Sequence, residues 1–205
     1  PKGISVYDFD DTLAFSKSQV IVNKDGKTYK ITPAEFAKQG ETLANEGATF
    51  DFSDFSKVVK GTPGPLAPRL KKAIDKFGNK NIFVLTARPA DSASSIYTFL
   101  KGIGLEIPFE NITGLANSAP AAKADWMIGK VADGYNDFYF VDDHLGNVKA
   151  VKDVLNVFDV KGKVQQARIK RSVTLGKEFN EMIARQTGVA SEKEFSKVVA
   201  RRRGK

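Results

Sequence analysis

Two aspartates stand at the end of a short, mostly apolar segment near the start of the chain. Residues 4–9 have the composition of a buried strand, and Asp8, Asp10 and Thr12 lie there in the pattern Asp-x-Asp-x-Thr. Since residues two apart on an extended chain share a face, Asp8 and Asp10 are expected to project together. Two unpaired carboxylates in one place repel each other. The pattern therefore predicts a hard divalent cation with oxygen ligands, such as Mg²⁺.

Two further apolar segments end in polar residues in the same way. Residues 82–85 lead into Thr86 and Arg88, a hydroxyl followed by a guanidinium. Residues 138–141 lead into the acidic pair Asp142 and Asp143. Lys123 lies between these two segments, near the start of a predicted helix. These side chains, together with the first acidic pair, are the groups with which the chain could do chemistry.

The elements that must position these groups alternate between strand and helix. Strands are predicted at residues 4–9, 81–85, 111–115 and 138–141, and helices at 66–77, 91–102, 120–129 and 147–155. Such alternation is the signature of an α/β fold with a parallel sheet and right-handed crossovers. Ligands of open parallel sheets bind beyond the carboxyl ends of the strands, where all three polar motifs fall.

A long insert follows the first strand. Within residues 14–60, Asp25-Gly26 between two alternating segments predicts a β-hairpin. Thr32, Pro33 and Glu35 then form the start signal of a helix that runs to about residue 45. Residues 48–59 are aromatic-rich and fit either a strand or irregular structure. Their phenylalanines are interpreted as core rather than as substrate contacts; they are Phe50, Phe52 and Phe55.

Taken together, the motifs resemble the four motifs of the haloacid dehalogenase superfamily, in the same order, over residues 3–155. The resemblance implies a three-layer Rossmann-like sheet, a small cap or flap formed by the insert, and phosphoryl transfer assisted by Mg²⁺. It implies that Asp8 is the nucleophile and that Asp10 is the general acid and base. Thr86 and Lys123 would bind the phosphoryl group and offset its charge.

The metal ligands implied by this resemblance are Asp8, the backbone carbonyl of Asp10, and Asp142. Asp143 fits either a ligand acting through water or an acid that orients Lys123 or the metal. Arg88 fits either a contact to the substrate's leaving group or a surface salt bridge.

Each motif also has a structural interpretation. An apolar strand ending in threonine is ordinary composition, and a lone lysine is usually a solvated helix residue. Asp142-Asp143 could be a helix N-cap with an acidic neighbour. His144 is interpreted as a loop hydrogen-bonding residue, and Asn147 occupies a slot where members of the superfamily often carry an acid. The joint occurrence of the motifs favours the catalytic interpretation.

The amino-acid composition excludes several kinds of site and mechanism. The chain has no cysteine and one histidine, which excludes disulfides and thiolate metal sites and disfavours a Ser-His-Asp mechanism. No apolar run reaches the length of a membrane span and the amino terminus does not have the pattern of a secretory signal, so no membrane association and a cytoplasmic location are expected.

The net charge of +8 is unevenly distributed. Residues 1–160 carry 19 Lys and Arg against 20 Asp and Glu, whereas residues 161–205 carry 13 against 4. We therefore predict a catalytic domain at residues 1–160 and a basic, mainly helical C-terminal extension at 161–205. The extension fits either nucleic-acid phosphate binding or a solvated extension or linker, and the second interpretation is favoured.

The leading functional hypothesis is a Mg²⁺-dependent phosphomonoester hydrolase that acts on a phosphorylated substrate, with nucleotides or nucleic-acid ends slightly ahead of metabolites. A phosphotransferase shares the same intermediate, and a haloalkanoate dehalogenase is disfavoured because its chemistry does not need Asp10. The chain also resembles phosphatase-like proteins of tailed bacteriophages, which places it in the host cytoplasm. This suggests the alternative of a virion or scaffold interaction module that binds phage particle proteins, with weak or no catalysis.

Overall fold

The computed structural model describes residues 1–167. The strands, in chain order, are β1 (Gly3–Tyr7), β2 (Ala14–Phe15), β3 (Val20–Lys24), β4 (Lys27–Ile31), β5 (Thr49–Asp51), β6 (Thr62–Pro63), β7 (Ile82–Thr86), β8 (Ile112–Gly114), β9 (Asp137–Asp142) and β10 (Lys161–Gln166). The α-helices are α1 (Pro33–Asn45), α2 (Ala67–Phe77), α3 (Ala93–Gly102), α4 (Pro120–Ala132) and α5 (Leu145–Val157). Short 3₁₀ helices lie at Ser53–Ser56, Ala90–Ser92 and Phe109–Asn111.

The main sheet has five parallel strands in the order β10-β9-β1-β7-β8. Strand β1 lies in the middle, with Val6 opposite Phe83 of β7 on one side and Phe140 of β9 on the other. Helices alternate with these strands along the chain. The predicted α/β class and parallel sheet, a Rossmann-like layout, are therefore confirmed.

Both faces of the sheet are covered by helices. Val6, Phe83 and Phe140 pack on one face with Met127 of α4 and Val151 of α5. The neighbouring strand residues point to the other face, where Tyr7 and Val84 pack with Leu70 of α2 and Ile96 of α3. Because both faces are buried, the central strands have nearly continuous apolar sequences rather than alternating ones. The fold therefore has three layers.

The insert at residues 14–60 contains a small folded unit of its own. Strands β4, β3 and β5 form an antiparallel sheet, and the predicted hairpin turn has positive φ at both Asp25 (51°) and Gly26 (71°). Two left-handed residues are what a type I′ turn requires, which explains the Asp-Gly pair. The capping box that begins α1 is also present, with Thr32 accepting from the Glu35 backbone N–H and Glu35 accepting from that of Thr32.

The insert also has its own hydrophobic core. Val20, Val22 and Ile31 are buried there, and Phe50 and Phe55 pack against them. The core interpretation of these two phenylalanines is therefore confirmed. The third, Phe52, is 42% exposed. The centroid of its ring is 5.3 Å from that of Phe36 and 6.3 Å from that of Phe50.

The carboxyl-terminal boundary of the α/β unit differs from the predicted one. Strand β10 pairs with β9 along its whole length, so the compact unit extends from Pro1 to Ala167 rather than ending at residue 160. β10 is an edge strand with mostly exposed, polar residues, and its composition therefore lacks the apolar signal of the other strands. The rest of the predicted basic extension lies outside the described residues. Within residues 1–167, no helix is long and apolar enough to cross a membrane.

Candidate active site

Three neighbouring strands of the main sheet carry polar side chains at their carboxyl ends, which lie along the same edge of the sheet. Asp8 follows β1, and its backbone N–H donates to the Val141 carbonyl of β9 at 3.0 Å. Thr86 and Asp142 are the last residues of β7 and β9. All three side chains are nearly inaccessible to solvent, as expected for groups between the sheet and its connecting loops. The structure therefore brings together the ends of the three motifs identified in the sequence.

Lys123 joins two of these acids. It lies in the first turns of α4, is 2% exposed, and its Nζ is 2.7 Å from both Asp8 Oδ1 and Asp142 Oδ2. Burial alone would lower the pKa of Lys123, but the charges of Asp8 and Asp142 outweigh it and the net shift is upward. Lys123 is therefore a fully charged, buried ammonium ion rather than a solvated helix lysine.

The environment of Asp8 sets its protonation. Burial raises the pKa of Asp8 to about 6, against the lowering effect of Lys123 and with an added rise from the charge of Asp142. Thr12, the last residue of the Asp-x-Asp-x-Thr pattern, donates its hydroxyl to Asp8 Oδ2 at 3.0 Å. Sequence reasoning noted Thr12 as part of the pattern without giving it a role. Lys123 and Thr12 thus donate to different oxygens of Asp8, which restricts the orientation of the carboxylate.

Asp8, Asp142 and Asp143 form an acidic group that could hold a metal ion. One carboxylate oxygen from each lies within 4.8 Å of the other two. Burial, followed by the nearby charge of Asp8, raises the pKa of Asp143 to about 9, and a hydrogen bond links the carboxyls of Asp143 and Asp8. Three carboxyls this close repel one another when they are ionised, and a divalent cation with oxygen ligands would offset that repulsion.

The side-chain amide of Asn147 lies beside the acidic group and bears on whether a metal ion fits there. Asn147 donates from Nδ2 to Asp142 Oδ2 at 2.9 Å, while its buried Oδ1 has no hydrogen-bond partner among the described residues. A buried amide oxygen without a donor is costly, and it is also a ligand of the kind that Mg²⁺ accepts. The three carboxyls form an all-oxygen donor set, and Asn147 adjoins it through Asp142, so the residues fit a hard divalent cation.

Asp142 also lies at the start of a helix. Its Oδ1 accepts from the His144 backbone N–H at 2.9 Å, and His144 is the N-cap residue of α5. The side chain of His144 is exposed. Its contribution to the site is therefore a backbone hydrogen bond, in line with the structural interpretation made from the sequence.

Asp10 is not a member of this acidic group. The extended chain ends with β1 at Tyr7, and the Leu13 and Ala14 backbone N–H groups both donate to the Phe9 carbonyl, closing a tight turn. The expectation that Asp8 and Asp10 project together assumed an extended chain, whereas the strand ends before Asp8, so it stays a prediction. The carboxylate of Asp10 is instead paired with Arg88, at 2.8 Å from Nε and 2.7 Å from Nη2.

Arg88 is not a surface residue. It is 3% exposed, and its guanidinium lies over the rings of Phe9 and Phe55, at 5.4 and 5.3 Å from their centroids. The predicted salt bridge is therefore present, with Asp10, but the arginine that makes it is buried rather than at the surface. The backbone N–H of Arg88 also donates to Thr86 Oγ1 at 3.2 Å, which fixes that hydroxyl and leaves it one O–H to donate.

Comparison with protein-family models, with curated proteins and with solved structures finds no match to this chain. A buried nucleophilic oxygen, an adjacent ammonium, and a group of oxygen ligands suit attack on an electrophile that carries negative charge.

Proposed function

We propose that this chain hydrolyses phosphate monoesters with the assistance of Mg²⁺, using Asp8 as nucleophile. One observation carries the proposal: Lys123 Nζ is 2.7 Å from Asp8 and from Asp142, within an acidic group that includes Asp143. A dianionic phosphate can approach a carboxylate nucleophile only where positive charge offsets the repulsion. The order of the motifs, which resembles that of the haloacid dehalogenase superfamily, agrees with this chemistry.

The proposed reaction has two steps. A carboxylate oxygen of Asp8 attacks phosphorus, the bond from phosphorus to the ester oxygen breaks, and Asp10 protonates the departing oxygen. Water then attacks the aspartyl phosphate while Asp10 takes its proton, which releases phosphate and restores Asp8. Thr86 donates its hydroxyl to a phosphoryl oxygen, and Lys123 stabilises the negative charge that both steps develop.

The residues suited to hold Mg²⁺ are Asp8 and Asp142, with Asp143 and the amide oxygen of Asn147 as further ligands, directly or through water. When bound, Mg²⁺ supplies positive charge that shields the phosphate from the surrounding carboxylates. Binding requires deprotonated ligands, so the proton on Asp143 must leave.

The insert corresponds to the cap implied by the resemblance, and nucleotides or nucleic-acid ends are the favoured substrates. The last described residues contact the acidic group: Ala167 donates its N–H to the Asp142 carbonyl at 2.8 Å, and Gln166 Nε2 donates to that of Asp143 at 3.1 Å. The chain that follows, residues 168–205, carries 11 Lys and Arg against 4 Asp and Glu. A basic segment in the same chain favours substrates rich in phosphate.

The test measures hydrolysis of nitrophenyl phosphate with Mg²⁺ and with a chelator. We expect metal-dependent turnover in the parent and a loss of at least about a thousandfold in kcat for Asp8→Asn, because no other group replaces a covalent nucleophile. Asp153→Asn on the exposed side of α5 is the matched control and should retain full activity. Turnover that survives in a folded Asp8→Asn variant would contradict the proposed nucleophile.

The substrate class is tested by the dependence of kcat/KM on salt. For a terminally phosphorylated oligonucleotide we expect a steeper loss with salt than for nitrophenyl phosphate, because only the polymer releases counterions along the basic segment. Equal slopes would favour a small metabolite. A parent protein that neither turns over nor binds Mg²⁺ would favour the interaction-module alternative.

A further inference from the structure

The guanidinium of Arg88 makes hydrogen bonds with every one of its donors. Two go to the carboxylate of Asp10, and a third joins Nη2 to Ser16 Oγ at 2.8 Å. Nη1 donates to two backbone carbonyls of the insert, Phe55 at 3.1 Å and Lys57 at 2.6 Å. Arginine has five N–H donors, so none is left for a substrate. The role in leaving-group binding predicted for Arg88 is therefore not compatible with this arrangement.

The partners of Arg88 come from separate parts of the chain. Asp10 belongs to the turn after β1, whereas Phe55 and Lys57 belong to the return of the insert to the main sheet. A guanidinium is planar and its donor directions are fixed, so it satisfies all these acceptors in one geometry only. Movement of the insert away from the sheet would remove two acceptors from a buried cation. The remaining bonds, including those to Asp10, would then have to rearrange.

We infer that Arg88 is a positioning residue that makes the orientation of Asp10 depend on the docked position of the insert. The inference rests on the proposed function, in which Asp10 transfers protons at the leaving oxygen. The Asp10 side chain is 40% exposed, whereas the side chain of its partner Arg88 is only 2% exposed. Arg88 therefore binds the Asp10 carboxylate from the protein interior, and the carboxylate stays accessible from solvent. Both of its oxygens retain a lone pair for a proton. A docked insert thus presents Asp10 to the leaving group in a single orientation.

This coupling can be disturbed from the insert without changing Arg88 or Asp10. A Cβ at Gly61 would lie 2.6 Å from Val58 Cγ1 and 2.7 Å from Phe99 Cε2, so in Gly61→Ala either these side chains or the return segment of the insert must shift. Gly102→Ala is the matched control, since a Cβ at Gly102 meets no atom within 4 Å.

The first readout is the dependence of kcat/KM on the leaving group. A phosphate ester with a poor leaving group needs the proton from Asp10, and one with a good leaving group hardly does. We expect Arg88→Lys to lose about tenfold more activity on phenyl phosphate than on nitrophenyl phosphate, because lysine keeps the charge but not the fork geometry. Gly61→Ala should show the same bias and Gly102→Ala none. Equal losses on both substrates in Arg88→Lys would overturn the inference.

The second readout is hydrogen exchange, which does not require activity. The Phe55 and Lys57 amides donate to the Phe52 and Asp54 carbonyls. Asp10→Asn should speed their exchange if Asp10 and the insert are coupled, and Gly102→Ala should not. Unchanged exchange in Asp10→Asn would overturn the coupling. A parent without Asp8-dependent turnover would refute the proposed function and the catalytic half of this inference, whereas faster exchange in Asp10→Asn would still support the physical coupling.

Discussion

Replacing Lys123 by methionine should destabilise the protein in a strongly pH-dependent way. The substitution keeps the length of the side chain and removes the ammonium that bridges Asp8 and Asp142. Those two acids are 6% and 1% exposed, so bulk solvent compensates little for the lost cation. Removing one partner of a buried ion pair costs about 3–5 kcal/mol, because the remaining charge is left without compensation.

Protonation limits this cost at low pH. The pKa of Asp8 is raised to about 6 with Lys123 present, and without the ammonium it must rise further. Between about pH 6 and pH 8 the folded variant then binds about one proton more than the parent, a difference worth about 1.4 kcal/mol for each pH unit. We therefore expect a loss in the free energy of unfolding of about 4 kcal/mol near pH 8 and about 1 kcal/mol near pH 5.

The assay is urea unfolding with a chelator present, followed by the fluorescence of Trp126, the single tryptophan, which lies on α4 with its ring 5.6 Å from that of Phe83. Lys152→Met, at an exposed position of α5, is the control and should change the free energy of unfolding by less than about 0.5 kcal/mol. A Lys123→Met loss that is the same at both pH values, or that is no larger than the control, would refute the assignment of Lys123 as the shared cation.

Two further outcomes follow from the structure. In the chelated parent, the pKa values of Asp8 and Asp143 are raised from 3.8 to about 6 and about 9, so the folded state retains protons that the unfolded state releases. The free energy of unfolding should be highest in acid and fall as pH rises through these pKa values. Mg²⁺ should raise the urea midpoint more near pH 8 than near pH 5, because its ligands must be deprotonated. A urea midpoint that does not change with pH in the absence of metal would contradict this expectation. Gly64→Ala should cost about 2–3 kcal/mol in urea unfolding, because its Cβ would lie 2.6 Å from the Ala14 backbone nitrogen and 2.7 Å from the Thr12 carbonyl; a cost as small as that of Gly102→Ala would show that this loop yields.

Local patterns were sufficient for most of the elements. The apolar strands before Asp8, Thr86 and Asp142 are buried on both faces, so their composition is unambiguous. The Asp25-Gly26 hairpin and the Thr32–Glu35 capping box depend on backbone geometry within a few residues, and both are present. The sequence places the residues of strand β10 in the extension rather than in the domain, because an exposed edge strand puts few constraints on its side chains.

The residues near the site were predicted unevenly for a related reason. Asp8, Lys123 and Asp142 meet because parallel strands end at one edge, a consequence of topology that a sequence pattern can indicate. Asp10 and Arg88 meet through a turn and a long crossover, and the sequence pattern placed Asp10 with Asp8 instead. Ser16, a further partner of Arg88, carries no signal in the sequence.

The sequence by itself determined which groups could do chemistry and at which strand ends they would stand. Residue type, apolar periodicity and turn signals are local properties. They specify strands that each deliver an acid or a hydroxyl to the same edge, and a helix that carries the amine of Lys123. Only the tertiary structure decided how those groups pair. Whether a carboxylate such as Asp10 faces the acidic group or a buried guanidinium depends on distances between segments far apart in the chain. Hydrogen-bond geometry and desolvation at that scale are set by packing, and no local pattern encodes them.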